Sequence, residues 1–145
     1  SHDDTTKSDA TNSIRAGIEM AEFPTTLEAV NELNSNGIPI VMGAPNLLRN
    51  KSHSGNVSAT EVEKVSALNI LSSDYMPSSL LQAAIELGRR NGDLSYGLSK
   101  VTSNPAKVMG LKDRGSIDIG KKADLILFDI YENFPILRNV IVGGQ

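Results

Sequence analysis

Apolar residues in this chain fall into two textures. Short runs occupy residues 18–23 (IEMAEF), 38–42 (IPIVM) and 68–72 (LNILS). Each places apolar side chains on both faces, as strands buried in a parallel sheet do. Between the runs, apolar positions recur at helical spacing. The first helix opens at Asp4, Thr5 or Ser8 and runs to about Ala16, with Gly17 just past its end. A second follows the capping-box pair Thr25 and Glu28, carries Leu27, Val30 and Leu33, and stops at Asn36-Gly37. A third opens on the capping box Ser58–Glu61 and runs to about Ala67. A fourth opens at Ser78 or Ser79 and runs through Arg90, with Leu80, Leu81, Ala84, Ile85 and Leu87 as its apolar positions.

Strands alternating with helices predict an α/β sheet or barrel. Further on the texture changes. Residues 94–98 read as a short helix, and Asn104 caps another that begins at Pro105 and ends at Gly110. Residues 115–120, 123–129 and 135–142 then read as strands with turns at Lys121-Lys122 and Gly143-Gly144, an antiparallel pattern that places a domain boundary near residue 112.

Composition narrows the class. The chain has 145 residues, 39% hydrophobic and 21% charged, with a net charge of −3 and no cysteine. That is ordinary globular composition, long enough for one core. The acidic balance argues against a nucleic-acid surface. Disulfides and thiolate zinc sites are excluded, and a reducing compartment is allowed. No apolar run approaches a membrane span and no signal peptide is visible, so the expected setting is cytoplasmic, away from membranes. The opening Ser1-His2-Asp3-Asp4, without a methionine or a strand before it, reads as a chain entered partway through.

In parallel α/β folds chemistry sits at the carboxyl ends of strands. Glu22 and Thr25 follow one strand, the stretch GAPNLLRNKSHSGN (residues 43–56) follows the next, and Asp74 follows the third. The 43–56 stretch reads as a long loop rich in donors, with Asn46, Arg49, Lys51, His53 and Asn56 suited to phosphate oxygens. A solvated surface loop is the other reading. Asp74 can bind a metal or take a proton from water, or it is a turn residue before Ser78. His2 is a metal ligand by type, with Asp3 placed to orient it; a surface histidine at a raw terminus is the alternative. Glu22 is a supporting carboxylate or an exposed strand-end group. The sequence contains no Gly-x-Gly-x-x-Gly, P-loop, His-Glu-x-x-His or nucleophile elbow. Its two histidines cannot by themselves build a three-ligand catalytic zinc site.

Five segments, SHDD, AEFPTT, MGAPN, SHSGNVSA and ILSSDYMPSSLL, occur in an order that strongly resembles the C-terminal part of amidohydrolase-superfamily enzymes of bacterial phosphonate breakdown. The tail, from Asp113-Arg114-Gly115 through Gly120-Lys121-Lys122-Ala123-Asp124-Leu125, resembles the small β domain that closes many amidohydrolases. The resemblance implies an α/β fold: residues 1–112 as the C-terminal portion of a metal-dependent (β/α)₈ TIM barrel, incomplete here, and 113–145 as part of a small β-sandwich domain. It also implies His2 as a metal ligand after the sixth strand and the 43–56 loop after the seventh. Asp74 would follow the eighth, as both ligand and proton acceptor. Asp3 and Glu22 would back the ligands. The implied cofactor is a divalent metal, zinc first, with manganese or another divalent ion as alternatives. The implied reaction cleaves a ribosyl methylphosphonate triphosphate to monophosphate and pyrophosphate.

The first-strand His-x-His pair, the bridging lysine and the fifth-strand histidine of that pattern have no counterpart here. The expected partners are therefore the N-terminal part of the same protein and a phosphorylated small molecule. An open sheet edge would also favour a homo-oligomer. Two rival readings stand beside this one. One is a cyclic amidohydrolase of the dihydroorotase type, which needs fewer cationic donors. The other is a non-catalytic α/β fragment that binds a phosphate or a partner.

Overall fold

The alternating pattern folds as a parallel sheet flanked by helices. The computed structural model describes residues 1–50 and 55–145, so Lys51 and His53 lie outside the described residues. The chain forms two compact units, Ser1–Leu80 and Leu81–Gln145.

In the first unit, α1 (Lys7–Arg15) is capped by Thr6, between the candidates Thr5 and Ser8. Asp9 decides this, because its side chain returns to the Thr6 backbone and completes a capping box. The expected strand at 18–23 shrinks to β1 (Ala21–Glu22). Phe23 turns left-handed at φ 53°, which takes the chain out of extended geometry. Helix α2 (Leu27–Ser35) is capped by Thr26, whose hydroxyl accepts from the Ala29 amide. The predicted Thr25–Glu28 box does not form; the Glu28 carboxylate accepts the Lys7 amide at 2.8 Å. Strand β2 (Ile40–Gly43) is buried along its length and pairs in parallel with β1 and with β3 (Leu68–Ser72), in the order β1-β2-β3. Gly43 stands opposite Ser72 in that register.

The stretch after β2 differs from the expected loop. It opens directly into helix α3 (Ala44–Arg49). Pro45 in the first turn presets the helical φ. Leu47 is fully buried and anchors the turn. Asn50, left-handed at φ 55°, ends the helix. Helix α4 (Ala59–Lys64) begins with the predicted Ser58–Glu61 capping box. Leu33, Ile40, Leu47, Leu68 and Val62 are all fully buried and make the core of this unit.

Helix α5 (Ser79–Asn91) contains the division between the units. In the second unit, α6 (Leu94–Ser99) approaches α5 so closely that a Cβ on Gly97 would stand 2.0 Å from the Ala84 carbonyl oxygen. Only glycine fits there. Helix α7 (Ser103–Val108) starts slightly before the expected cap at Asn104. Strands β4 (Leu125–Tyr131) and β5 (Phe134–Ile141) form an antiparallel hairpin across Glu132 and Asn133, both left-handed as a tight two-residue turn requires. The expected strand at 115–120 does not form. No strand among the described residues pairs with it. Local bonds shape it instead: the Ser116 hydroxyl donates to Asp118 at 2.7 Å, and the Lys122 amide donates to the Asp113 carbonyl at 2.8 Å. Among the described residues, no helix is long and apolar enough to cross a membrane.

Candidate active site at the carboxyl edge of the sheet

Asp74 follows β3 in a tight turn. Its own backbone is left-handed at φ 50°, its amide donates to the Ser72 hydroxyl at 3.2 Å, and the Met76 amide closes the turn onto Ser73. Left-handed geometry in a residue other than glycine costs energy and gathers at functional positions. The turn folds the carboxylate back over the end of β2. A Cβ built on Gly43 would meet Asp74 Oδ2 at 3.2 Å. Gly43 therefore leaves the space that the carboxylate occupies. The sequence held only a weak signal for this role, a glycine at a strand end two residues before an N-terminal helical proline.

His2 lies on the same edge of the sheet. It pairs with Glu22 in an isolated parallel bridge, which adds one more segment beyond β1. Its Nδ1 is 2.8 Å from the Asp3 carboxylate, its Nε2 is 3.9 Å from Glu22, and its ring stands edge-on to Phe23 at 5.4 Å. Asp3 thus holds the imidazole from one side. Asp3 and Phe23 are left-handed, at φ 60° and 53°. Together with Asp74, three such residues follow the segments of this one edge. Asp4, expected near the start of the first helix, is buried instead. Its carboxylate accepts from the Ser1 and Ser13 hydroxyls at 2.6 and 2.9 Å and ties the terminus to α1.

The spatial order His2, β1, β2, β3 corrects one assignment. If Asp74 follows the eighth strand of a barrel, His2 lies three segments earlier and follows the fifth, not the sixth. At about 4.8 Å per strand that separates them by roughly 14 Å along the sheet. The donors are of the right chemistry for a divalent ion. However, among the described residues no three His, Cys, Asp or Glu side chains come together to hold one. By themselves the described residues do not fit a catalytic metal.

The donors of the 43–56 stretch divide. The Asn46 side-chain oxygen accepts the Ala59 amide at 2.8 Å, so Asn46 ties α3 to the start of α4. Arg49, the last residue of α3, reaches toward the Asp74 turn, its guanidinium 5.6 Å from the centre of the Tyr75 ring. Asn56 lines a cleft of about 360 Å³ together with Asn50 and Lys64, but Glu61 shares that wall. The Ser58 amide and hydroxyl hold the Glu61 carboxyl below its ordinary pKa, which keeps it anionic there. The Val57 amide donates to the Thr25 carbonyl at 2.8 Å and brings this segment to the end of β1. Sequence reasoning did not single out Gly43 or Tyr75; both roles depend on a neighbour from another strand.

Comparison with known proteins is consistent with this geometry. The chain is 46% identical, over its full length and 39% of the relative's, to alpha-D-ribose 1-methylphosphonate 5-triphosphate diphosphatase of Escherichia coli (strain K12). Among solved structures it resembles an amidohydrolase from Thermotoga maritima MSB8, with a TM-score of 0.73 at 26% identity, covering 99% of this chain and 41% of that one. It also shares its fold with an adenosine deaminase from Xanthomonas campestris with bound zinc, with a TM-score of 0.61 at 19% identity, covering 94% of this chain and 39% of that one. The chain thus spans about two fifths of the length of each of these proteins. The Amidohydrolase family model matches residues 7–145, and the chain belongs to that family.

Proposed function

We propose that this chain is the C-terminal portion of a metal-dependent (β/α)₈ hydrolase that converts a ribosyl 1-methylphosphonate 5-triphosphate to the 5-phosphate and pyrophosphate. One observation carries the hydrolytic reading. The Asp74 carboxylate is held by a left-handed turn over the end of β2, against a glycine that makes room for it. The choice of substrate is supported by the E. coli relative.

In this reading the four parallel segments at His2, β1, β2 and β3 are half of a barrel. The remaining strands come from the rest of the protein. Residues 113–145 belong to its small β domain. Asp74 accepts a proton from the attacking water. The water oxygen bonds to the α-phosphorus, and the bond from that phosphorus to the departing pyrophosphate breaks. Arg49 and Asn56, with Lys51 and His53 by residue type, neutralise or donate to the phosphate oxygens; such transfer is mostly positioning and charge neutralisation. His2, oriented by Asp3 and flanked by Glu22, and Asp74 are this chain's metal-ligand candidates by residue type; they would reach one ion only where closure of the barrel by the rest of the protein turned this edge inward, with the other ligands supplied from there. A divalent ion, zinc or manganese, supplies positive charge and a water of lowered pKa when bound. The setting is the cytoplasm, and the protein is a candidate homo-oligomer.

The test is pyrophosphate release from the triphosphate by the intact enzyme. Asp74→Asn is expected to lower kcat by about 10²–10⁴-fold, the usual worth of a proton acceptor, and His2→Ala to lower metal content along with turnover. Near-normal turnover in Asp74→Asn would sink the assignment.

A further inference from the structure

One cleft of the second unit takes no part in the proposed reaction. It has a volume of about 410 Å³ and is built within residues 103–121, from α7, the segment after it and the loop that reaches Lys121. Its frame is fixed by backbone bonds. Helix α7 ends as the Leu111 amide donates to the Ala106 carbonyl at 2.8 Å, and the Lys122 amide closes the next loop onto the Asp113 carbonyl, also at 2.8 Å. Gly115, at φ 94°, seats that loop on the helix. A Cβ there would stand 2.7 Å from the Ala106 Cβ and 3.1 Å from the Ser103 Cα, so only glycine allows the approach.

Lys107, Lys112, Arg114 and Lys121 line this cleft, and none of its lining residues is acidic. That bias runs against a chain in which acidic residues outnumber basic ones 17 to 14. A helix C-terminus favours a cation in its last turn, which accounts for Lys107 alone. The four cations are not equally neutralised. Asp113 accepts from Arg114 Nε at 2.9 Å and Nη2 at 3.3 Å, and Lys122 Nζ lies 3.0 Å from the same carboxylate. Arg114 first, and Lys122 after it, hold the Asp113 carboxyl far below its usual range. Lys121 is held by Asp118, 3.2 Å away, and by the Ser116 hydroxyl. Among the described residues, Lys107 and Lys112 have no carboxylate within ion-pair distance. Nor do the Gly115 and Ser116 amides donate to any acceptor among them.

We propose that this cleft is an oxyanion-binding site for a small, multiply charged phosphate, of which inorganic pyrophosphate is the simplest form. Lys107 and Lys112 supply the uncompensated charge, and an anion between them relieves their mutual repulsion. Arg114, already held by Asp113, offers a planar fork suited to phosphate oxygens. Successive amides beside a residue of positive φ make a concavity of the kind that receives anions. The volume falls within the range of small-molecule sites, and the acidic balance of the chain disfavours an extended polyanion.

The experiment titrates the intact protein with pyrophosphate by calorimetry. It compares Lys107→Gln, Lys112→Gln, their double variant, and Lys7→Gln as a control of equal net charge from the first unit. Lys107 and Lys112 are exposed, so their replacement leaves the fold intact. Each single variant is expected to weaken binding about fivefold, the worth of one ion pair across water, and the double variant more than either. Lys7→Gln should bind as the unaltered protein does. Pyrophosphate should also protect Lys107 and Lys112, but not Lys7, from acetylation read by mass spectrometry. The proposal is overturned if the double variant binds pyrophosphate normally, if Lys7→Gln weakens binding as much as either single variant, or if neither lysine is protected. Phosphatidylcholine vesicles carrying phosphatidic acid separate the two sources of such a group. Retention on them that the double variant abolishes, without binding of free pyrophosphate, would replace the soluble ligand by a lipid headgroup and overturn the proposal. Neither readout needs turnover, so failure of the protein to cleave the triphosphate would leave this site standing.

Discussion

The parallel sheet of the first unit and the hairpin of the second are built from similar sequence and end in opposite environments. Strand β2 is IVMG and is buried at every position. Strand β4 is LILFDIY, at least as apolar, yet Leu127 is 61% and Tyr131 66% exposed. Its partner β5 exposes Phe134, Leu137 and Val140 to a similar degree. Apolar residues on both faces of a strand say that both faces can be covered, not what covers them. Around β2, helices α2 and α3 and the neighbouring strands do so within the first unit. Around β4, among the described residues of its own unit, they do not. Burial is the dominant stabilising term, so the two regions hold their shapes by different means. The sheet rests on its core, whereas the hairpin rests on its backbone ladder and the two-residue turn.

Substitutions can break that contrast. The largest effect is expected for Leu33→Ala, a fully buried side chain under the sheet; urea unfolding should show a loss of about 2–5 kcal/mol. A loss below 1 kcal/mol would mean that the first unit does not depend on its core. Gly97→Ala tests the packed part of the second unit. Its new Cβ would meet backbone at 2.0 Å, so α5 and α6 must part; a cost of about 1–3 kcal/mol is expected by the same measurement. Next comes the α4 cap. Ser58→Ala should cost about 0.5–2 kcal/mol.

The same cap also gives a pH signature. The folded state holds Glu61 below its ordinary value of 4.5, through hydrogen bonds first from the Ser58 backbone and then from its hydroxyl. A carboxyl lowered in the folded state contributes stability above the unfolded value. That contribution is lost as pH falls through the folded one. Glu61→Gln should therefore flatten the acid limb of the stability profile, and an unchanged limb would count against the box. The smallest effect is expected for Leu127→Ala in the hairpin, within about 0.5 kcal/mol, as for exposed positions generally. A loss comparable to that of Leu33→Ala would show that the hairpin is covered in solution, and would erase the contrast.

Legibility followed the range of the forces involved. Strand β3 forms at residues 68–72, where its apolar run places it, and the Ser58–Glu61 box forms as its spacing requires. Each is decided by residues within a few positions of one another. The site was legible to the same depth. Asp74 could be placed at a strand end from order alone, and His2 beside Asp3. What Asn46 does could not, because its partner, the Ala59 amide, is thirteen residues away.

By itself, then, the sequence determined the alternation of helices and strands, the Ser58–Glu61 cap, the hairpin, and which edge of the sheet bears the polar groups. Periodicity and capping act locally and survive in any fold that keeps the element. Only the tertiary structure decided that β1 is two residues long, that α3 takes up the first part of an expected loop, and that residues 115–120 remain outside any strand. It alone set Asp74 against Gly43 and Arg49 over Tyr75. A strand needs a partner to satisfy its backbone. A site needs side chains from separate strands to converge, and that convergence depends on register and packing between segments far apart in the chain.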